Sequence, residues 1–196
     1  MTETETPSGG LLRRTGCVRT RRAGTYPFPV RFFYDCEFIE DGRTIDLVSI
    51  GVVDETGREF YAVSTEFDAG RAGPWVRQHV LPQLPAPGSP SWRSRARIRD
   101  ELYSFLTAHS SEIELWAWYA AYDHVALAQL WGAMPALPSR LPKFTRDLRQ
   151  HWEAVGKPKL PSAPANAHDA LADAKHNLRR WQVIEQRRRQ LGYPQR

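Results

Sequence analysis

Four carboxylates and one imidazole are the groups through which this chain could do chemistry. Asp35 and Glu37 stand two apart in VRFFYDCEF, a run rich in β-formers. In a strand, residues i and i+2 share a face, so both acids point the same way. Held side by side they repel, which does nothing for stability. A divalent cation between them removes the repulsion, and carboxylate oxygens are the ligands that hard Mg²⁺ prefers. Taken alone, the same pair also fits a strand with one wet, acid-bearing face.

Asp123 follows a second β-like run and opens a helical stretch, where an Asp commonly caps orphan N–H groups. His168-Asp169-Ala170-Leu171-Ala172-Asp173 lies between a Pro-rich loop and a long helical segment. The loop delivers His168 to the mouth of that helix, and Asp173 lies just over one turn inside it. The plain structural explanation makes Asp169 a cap and Asp173 a partner of Asn177. Jointly the pattern says more. Four acids and a histidine, each beside a place where elements meet, can hold two Mg²⁺ roughly 3.5–4 Å apart, as two-metal phosphodiester hydrolysis requires. Histidine takes a proton near neutral pH, which is the work of a general base.

The elements that must position these groups follow from residue patterning. Val30 to Phe38, Thr44 to Val53 and Glu59 to Thr65 read as strands separated by Asp41-Gly42 and Thr56-Gly57 turns, giving a three-stranded antiparallel meander. Pro74 suits the first turn of a short helix to about Leu81. Ser91 is expected to cap a helix to about Ala108. Ile113 to Trp118 reads as a strand, Tyr122 to Trp131 as a helix, Pro135 to Pro142 as a loop, and Thr145 to Val155 as a helix. Residues 156–167 hold three prolines, and the last helix runs from about Asp169 to Gln190. A hairpin meander followed by alternating helix and strand predicts an α/β fold, a mixed sheet flanked by helices.

With 196 residues the chain is long enough for one domain with a hydrophobic core. Residues 1–29 show no period of 2 or 3.6 and read as a disordered, basic N-terminal extension (Arg13, Arg14, Arg19, Arg21 and Arg22), with the folded domain spanning 30–196. The net charge of +5 permits a polyanionic partner. Cys17 and Cys36 sit in dissimilar contexts and form no disulfide or zinc pattern, so a cytoplasmic location is the default expectation. No signal peptide is visible, and no apolar run approaches the roughly 18 residues of a membrane helix.

Asp35-Cys36-Glu37, Asp123, and His168 with Asp173, Ala170 and Ala174 resemble the motifs of the DEDDh 3′→5′ exonucleases of the ribonuclease H-like fold. The stretches from VRFFYDCEFIEDG to STEFD, RAGPWVRQHVLPQLP, IELWAWYAAYDHVALAQLWG and HDALADA are similar to the actinobacterial exoribonuclease AS family, which is polyadenylate-specific. The resemblance covers roughly residues 30–184. It implies a ribonuclease H-like sheet and 3′→5′ hydrolysis of single-stranded RNA with a free 3′ end. Adenylate-rich ends would be shortened to AMP or other nucleoside 5′-monophosphates, in a homodimer. It further implies that Asp35, Glu37, Asp123 and Asp173 hold two Mg²⁺ (Mn²⁺ substituting), with His168 as base. Glu37 and the backbone near Cys36 and Phe38 would grip the terminal ribose.

Phe38, Trp118 and Tyr119 lie near the acids and are candidates to stack on bases, although each also fits a core position. Trp75, His79, Lys157 and Lys159 are candidates for the substrate path or a subunit interface. Arg179, Arg180 and Arg187 to Arg189 are expected to complement the dipole of the last helix. Many DEDDh enzymes carry Asn four or five residues before the second-motif Asp, where this chain has Tyr119 and Trp118; the exoribonuclease AS group shares that lack. Cys36 stands where Thr is commoner, and its thiol is expected to make the site oxidation-sensitive. The family's proteins begin about where Val30 stands, so residues 1–29 are expected to be an extension. Alternative readings are a single-strand DNA 3′→5′ exonuclease, a non-catalytic nucleic-acid-binding module on the same fold, and a partner-binding protein whose acids are surface charge.

Overall fold

The structure, a computed structural model, describes Met1 and residues 29–193. The expected N-terminal extension therefore lies almost wholly outside the described residues, as do its arginines. From Val30 the chain builds a six-stranded mixed sheet. Strands β1 (Val30–Glu40), β2 (Ile45–Asp54) and β3 (Glu59–Ser64) form the expected antiparallel meander. The other strands are β4 (Trp92–Arg93), β5 (Ile113–Ala117) and β6 (Arg146–Asp147), and the sheet order is β4-β3-β2-β1-β5-β6. β5 runs parallel to the central β1, so this is the expected ribonuclease H-like mixed sheet.

The helices are α1 (Pro74–His79), α2 (Arg95–Leu106), α3 (Ala120–Ala128), α4 (Leu148–Ala154) and α5 (Ala170–Gln190). The pleat of β1 divides them between two faces. Phe32, Tyr34 and Cys36 point into one core with Ile98, Leu102 and Leu106 of α2 and Ala126 and Leu127 of α3. Phe33 points the other way, into a core with Leu148, Ala174 and Ile184 of α4 and α5. Asp35 and Glu37 continue the Phe33 face, so the two acids look toward α5.

Three expected boundaries move. Ser91 is not the cap of α2: Trp92–Arg93 pair with Val63–Ser64 as an edge strand, and Ser94 Oγ accepts from the Arg97 N–H at 3.3 Å instead. Thr145 to Val155 is not one helix. Arg146–Asp147 first add a strand beside β5, and Asp147 then caps α4 by accepting from the Gln150 N–H at 3.0 Å. α3 starts two residues early, at Ala120, because the second Asp147 oxygen accepts from the Ala120 N–H at 2.9 Å. One carboxylate thus caps two helices.

α5 approaches the sheet closely. Ala170 and Ala174 are fully buried, and a Cβ at Gly51 of β2 would meet the Leu171 nitrogen at 2.3 Å. Gly51 lies opposite Asp35 across the β1–β2 ladder. The small residues on both sides bring the mouth of α5 against the acids.

Candidate active site

Asp35, Glu37, Asp123, His168 and Asp173 line a single cavity of about 540 Å³, to which Cys36, Phe38, Trp118 and Tyr119 also contribute. Each arrives by a separate local device. Asp35 and Glu37 come from the β1 pleat. Asp123 lies in the first turn of α3, but it is no cap of that helix. Its Oδ1 accepts from the Cys36 N–H at 2.8 Å, fastening α3 to β1. Asp169 does cap α5, accepting from the Ala172 N–H at 2.8 Å. Asp173 accepts from the His168 N–H at 2.7 Å, which folds the loop back over the helix mouth. Asn177 does not pair with Asp173; its amide donates to the Tyr34 carbonyl at 3.1 Å.

His168 has φ +72°, a left-handed backbone that costs a non-glycine residue energy and is held by its surroundings. Its ring meets Trp75 of α1 edge-on at 4.7 Å and lies 6.0 Å from His79. Trp75, a sequence candidate, therefore walls the imidazole.

The electrostatics of the cavity are those of a site short of positive charge. Burial, then Asp123, Glu37 and Asp173, push Asp35 well above the usual carboxylate range. Burial and the charges of Asp173, Asp123 and Asp169 raise Glu37 to about 8. Burial raises Asp123 to about 7 against the lowering effect of the Cys36 N–H. Asp173 is raised by burial and lowered in part by the His168 N–H. Arg180 opposes this at Asp35, and with His168 at Asp173. Ligand atoms of Glu37, His168 and Asp173 lie within 4.8 Å of one another. Clustered carboxylate oxygens suit a hard divalent cation, so the donor set fits Mg²⁺ or Mn²⁺.

The aromatic candidates divide. Tyr119 is no core residue: it is 58% exposed, at the left-handed N-cap of α3. Phe38 is half-buried and stacks on Tyr122 at 5.8 Å, with 7° between the planes. Trp118 lies under Arg180, whose guanidinium carbon is 4.3 Å from the ring centroid. The Cys36 thiol is buried, and burial pushes its pKa up, so it stays neutral and poorly reactive, contrary to the expected oxidation sensitivity.

Sequence patterning does not mark Arg180 or Gly51 as site residues. Arg180 is seven residues after Asp173, two helical turns along the same face, a spacing that could have identified it. Gly51 offers no local signal, because its reason is a neighbour distant in sequence. Among the described residues, no helix is long and apolar enough to cross a membrane.

Residues 30–185 match the family described as the 3′-5′ exoribonuclease Rv2179c-like domain. Two relatives from Mycobacterium tuberculosis are each 62% identical over 156 residues, covering 79% of this chain and 93% of theirs. They are the 3′-5′ exoribonuclease Rv2179c of strain H37Rv and the 3′-5′ exoribonuclease MT2234.1 of strain CDC 1551 / Oshkosh. Among solved structures, S. pombe Pop2p in its Mg²⁺- and Mn²⁺-bound form superposes with a TM-score of 0.51 at 12% identity, over 82% of this chain and 84% of that one. At that identity the likeness speaks for the fold alone.

Proposed function

Because this chain belongs to the 3′-5′ exoribonuclease Rv2179c-like family and is itself a 3′-5′ exoribonuclease, we propose that the five converging side chains are its catalytic set. The observation that carries the proposal is their convergence. Residues 35 and 37, 123, and 168 and 173 come from β1, α3 and the mouth of α5 to one cavity.

Asp35, Glu37, Asp123 and Asp173 hold two divalent cations, Mg²⁺ with Mn²⁺ able to substitute. When bound, these ions supply the positive charge that the attacked phosphate and the leaving 3′ oxygen require. His168 accepts the proton of the attacking water. The water oxygen bonds to the last phosphorus, the bond from phosphorus to the 3′ oxygen breaks, and a nucleoside 5′-monophosphate leaves. Trp75 keeps the imidazole oriented, and Asp173 fixes the backbone of the same residue. Phe38, Trp118 and Tyr119 contact the terminal nucleotides of a single strand, and Glu37 with the backbone around Cys36 reads the ribose, whose 2′-OH separates RNA from DNA. Adenylate-rich 3′ ends, with AMP as product, and a homodimeric assembly belong to the same proposal. So does an exonuclease domain that begins at residue 30 after a basic extension.

The test is a 5′-labelled single-stranded oligoadenylate incubated with Mg²⁺ or EDTA, beside a His168→Asn variant. Asparagine tolerates the left-handed backbone and removes the titrating ring. A ladder shortening from the 3′ end with AMP released, no shortening in EDTA, and shortening slowed at least about a hundredfold in the variant support the proposal. Degradation that persists in EDTA, or within about tenfold of the wild-type rate in the variant, sinks the assigned roles. Equal cleavage of oligodeoxyadenylate would move the reading toward a DNA exonuclease.

A further inference from the structure

Among the described residues, three non-glycine residues have positive φ: Tyr119, Lys157 and His168. His168 belongs to the site. The other two mark the ends of a continuous strip of aromatic rings and cations that starts in the cavity wall and runs out along α4. Arg149 occupies its centre. Its guanidinium carbon lies 5.9 Å from the Trp118 centroid, 5.7 Å from Tyr119 and 4.9 Å from Trp152. It also donates to the Tyr119 hydroxyl at 3.0 Å. Lys157 Nζ sits 5.7 Å from the Trp152 centroid, at the far end.

Rings held by cations are common in protein surfaces, so the charge balance and the exposure must decide what this strip does. Arg149 and Lys157 both pair with Glu153, at 3.1 and 3.3 Å. One carboxylate therefore serves two cations, and the strip keeps a positive excess. Tyr119 and Lys157 are exposed, Tyr119 at the start of α3 and Lys157 just past the end of α4. Phe38, stacked on Tyr122, lines the same cavity, as does Glu40, whose exposed carboxylate repels phosphate.

We propose that the strip Tyr119–Arg149–Trp152–Lys157 is the track for the single-stranded RNA upstream of the scissile bond. The inference rests on the exoribonuclease reading and gives the chain a direction: the 3′ end sits at the acids, and the preceding nucleotides leave over α4 and not over Glu40. A base stacks on the open face of Tyr119. Backbone phosphates meet Arg149 and Lys157, displacing part of their pairing with Glu153. Stacking plus a positive groove is sequence-tolerant, so the strip confers length preference and processivity, not base choice.

The experiment compares full-length wild type, Lys157→Glu, and Arg149→Gln with Lys157→Gln, on a long oligoadenylate and on a diadenylate, over a series of salt concentrations. Wild type is expected to prefer the long substrate. The double variant should lose about tenfold of that preference, through KM. Its dependence of log kcat/KM on log salt should become shallower by about 0.7 for each phosphate contact removed. Lys157 is exposed and outside both cores, so Lys157→Glu gives the same readout if the double variant misfolds. An unchanged length preference and salt slope in variants that still degrade RNA overturns the track, as does a wild type indifferent to length. A wild type that degrades no RNA instead fails the exoribonuclease reading itself.

Discussion

Gly51 and Leu171 approach so closely that a Cβ on Gly51 would stand 2.3 Å from the Leu171 nitrogen. Backbone lies on backbone there, so no side chain can swing aside. Gly51→Ala must push the first turn of α5 away from β2, and with it His168 and Asp173. We expect a loss of about 1–3 kcal/mol in stability from overpacking. We also expect about a hundredfold fall in kcat, because misplacing catalytic groups by an ångström costs that much. Denaturant unfolding and oligoadenylate turnover on the same preparation check both. A variant that unfolds at the wild-type midpoint and keeps full activity would show that α5 does not need this contact.

The Asp123 carboxylate has two roles that one substitution separates. Its Oδ1 accepts from the Cys36 N–H, and its charge adds to the repulsion around Asp35. Asp123→Asn keeps an acceptor and removes the charge. In EDTA the variant is expected to melt at or above the wild-type temperature, because a buried, repelled carboxylate is gone. Activity and the stabilisation by Mg²⁺ should fall by more than about a hundredfold, as loss of a direct ligand exceeds loss of an outer partner. Melting well below wild type in EDTA would make Asp123 a structural staple first.

What could be read ahead of the structure tracks how local each signal is. The period-2 pattern of β1 placed Asp35 and Glu37 on one face because strand geometry alone decides it. The Asp169 cap and the Asp173 position followed from the first turn of α5 in the same way. Arg146–Asp147 passed for helix, since a two-residue edge strand has no period to detect and only pairing with Trp116–Ala117 defines it. Ser91 fits a cap by sequence for the same reason, the Trp92–Arg93 pairing that moves the helix start to Ser94 being tertiary. Arg180 fits a basic helix end by composition, although its guanidinium lies over Trp118, donates to Asn177 and feels the charges of Asp173 and Asp35. Asp147, which caps α3 across 27 positions of sequence, had no local signature at all.

Metal-free protein should lose stability as pH rises. Glu37 is raised from 4.5 to about 8 and Asp123 from 3.8 to about 7, so the folded state holds protons that the unfolded chain has released. Their contribution is complete below about pH 4 and is lost as pH climbs through 7 to 8. Divalent ions reverse the trend, because they bind the deprotonated carboxylates. Melting curves in EDTA should show a falling contribution across that window. The rise in Tm on adding Mg²⁺ should be small at mildly acid pH and large near pH 8. A Mg²⁺ effect independent of pH would mean that these acids are not where the ion binds.

His168 stands close enough to Glu37 and Asp173 to be read as either a base or a ligand, since ligand atoms of all three lie within 4.8 Å. The two roles predict different variants. A base can be removed with the metal site intact, whereas a ligand cannot. The edge-on contact with Trp75 and the Asp173 bond to the His168 N–H hold the residue by its ring and its backbone, leaving the ring nitrogens for a proton. His168→Asn is therefore expected to lower kcat by about 10²–10⁴-fold, the usual worth of a general base. Mn²⁺ affinity, measured by calorimetry, should change little. Trp75→Leu should lower kcat by a smaller factor, with KM less affected, because it loosens the ring without removing it. If His168→Asn loses Mn²⁺ binding in step with turnover, the imidazole is a ligand, and the proton must go elsewhere in the cavity.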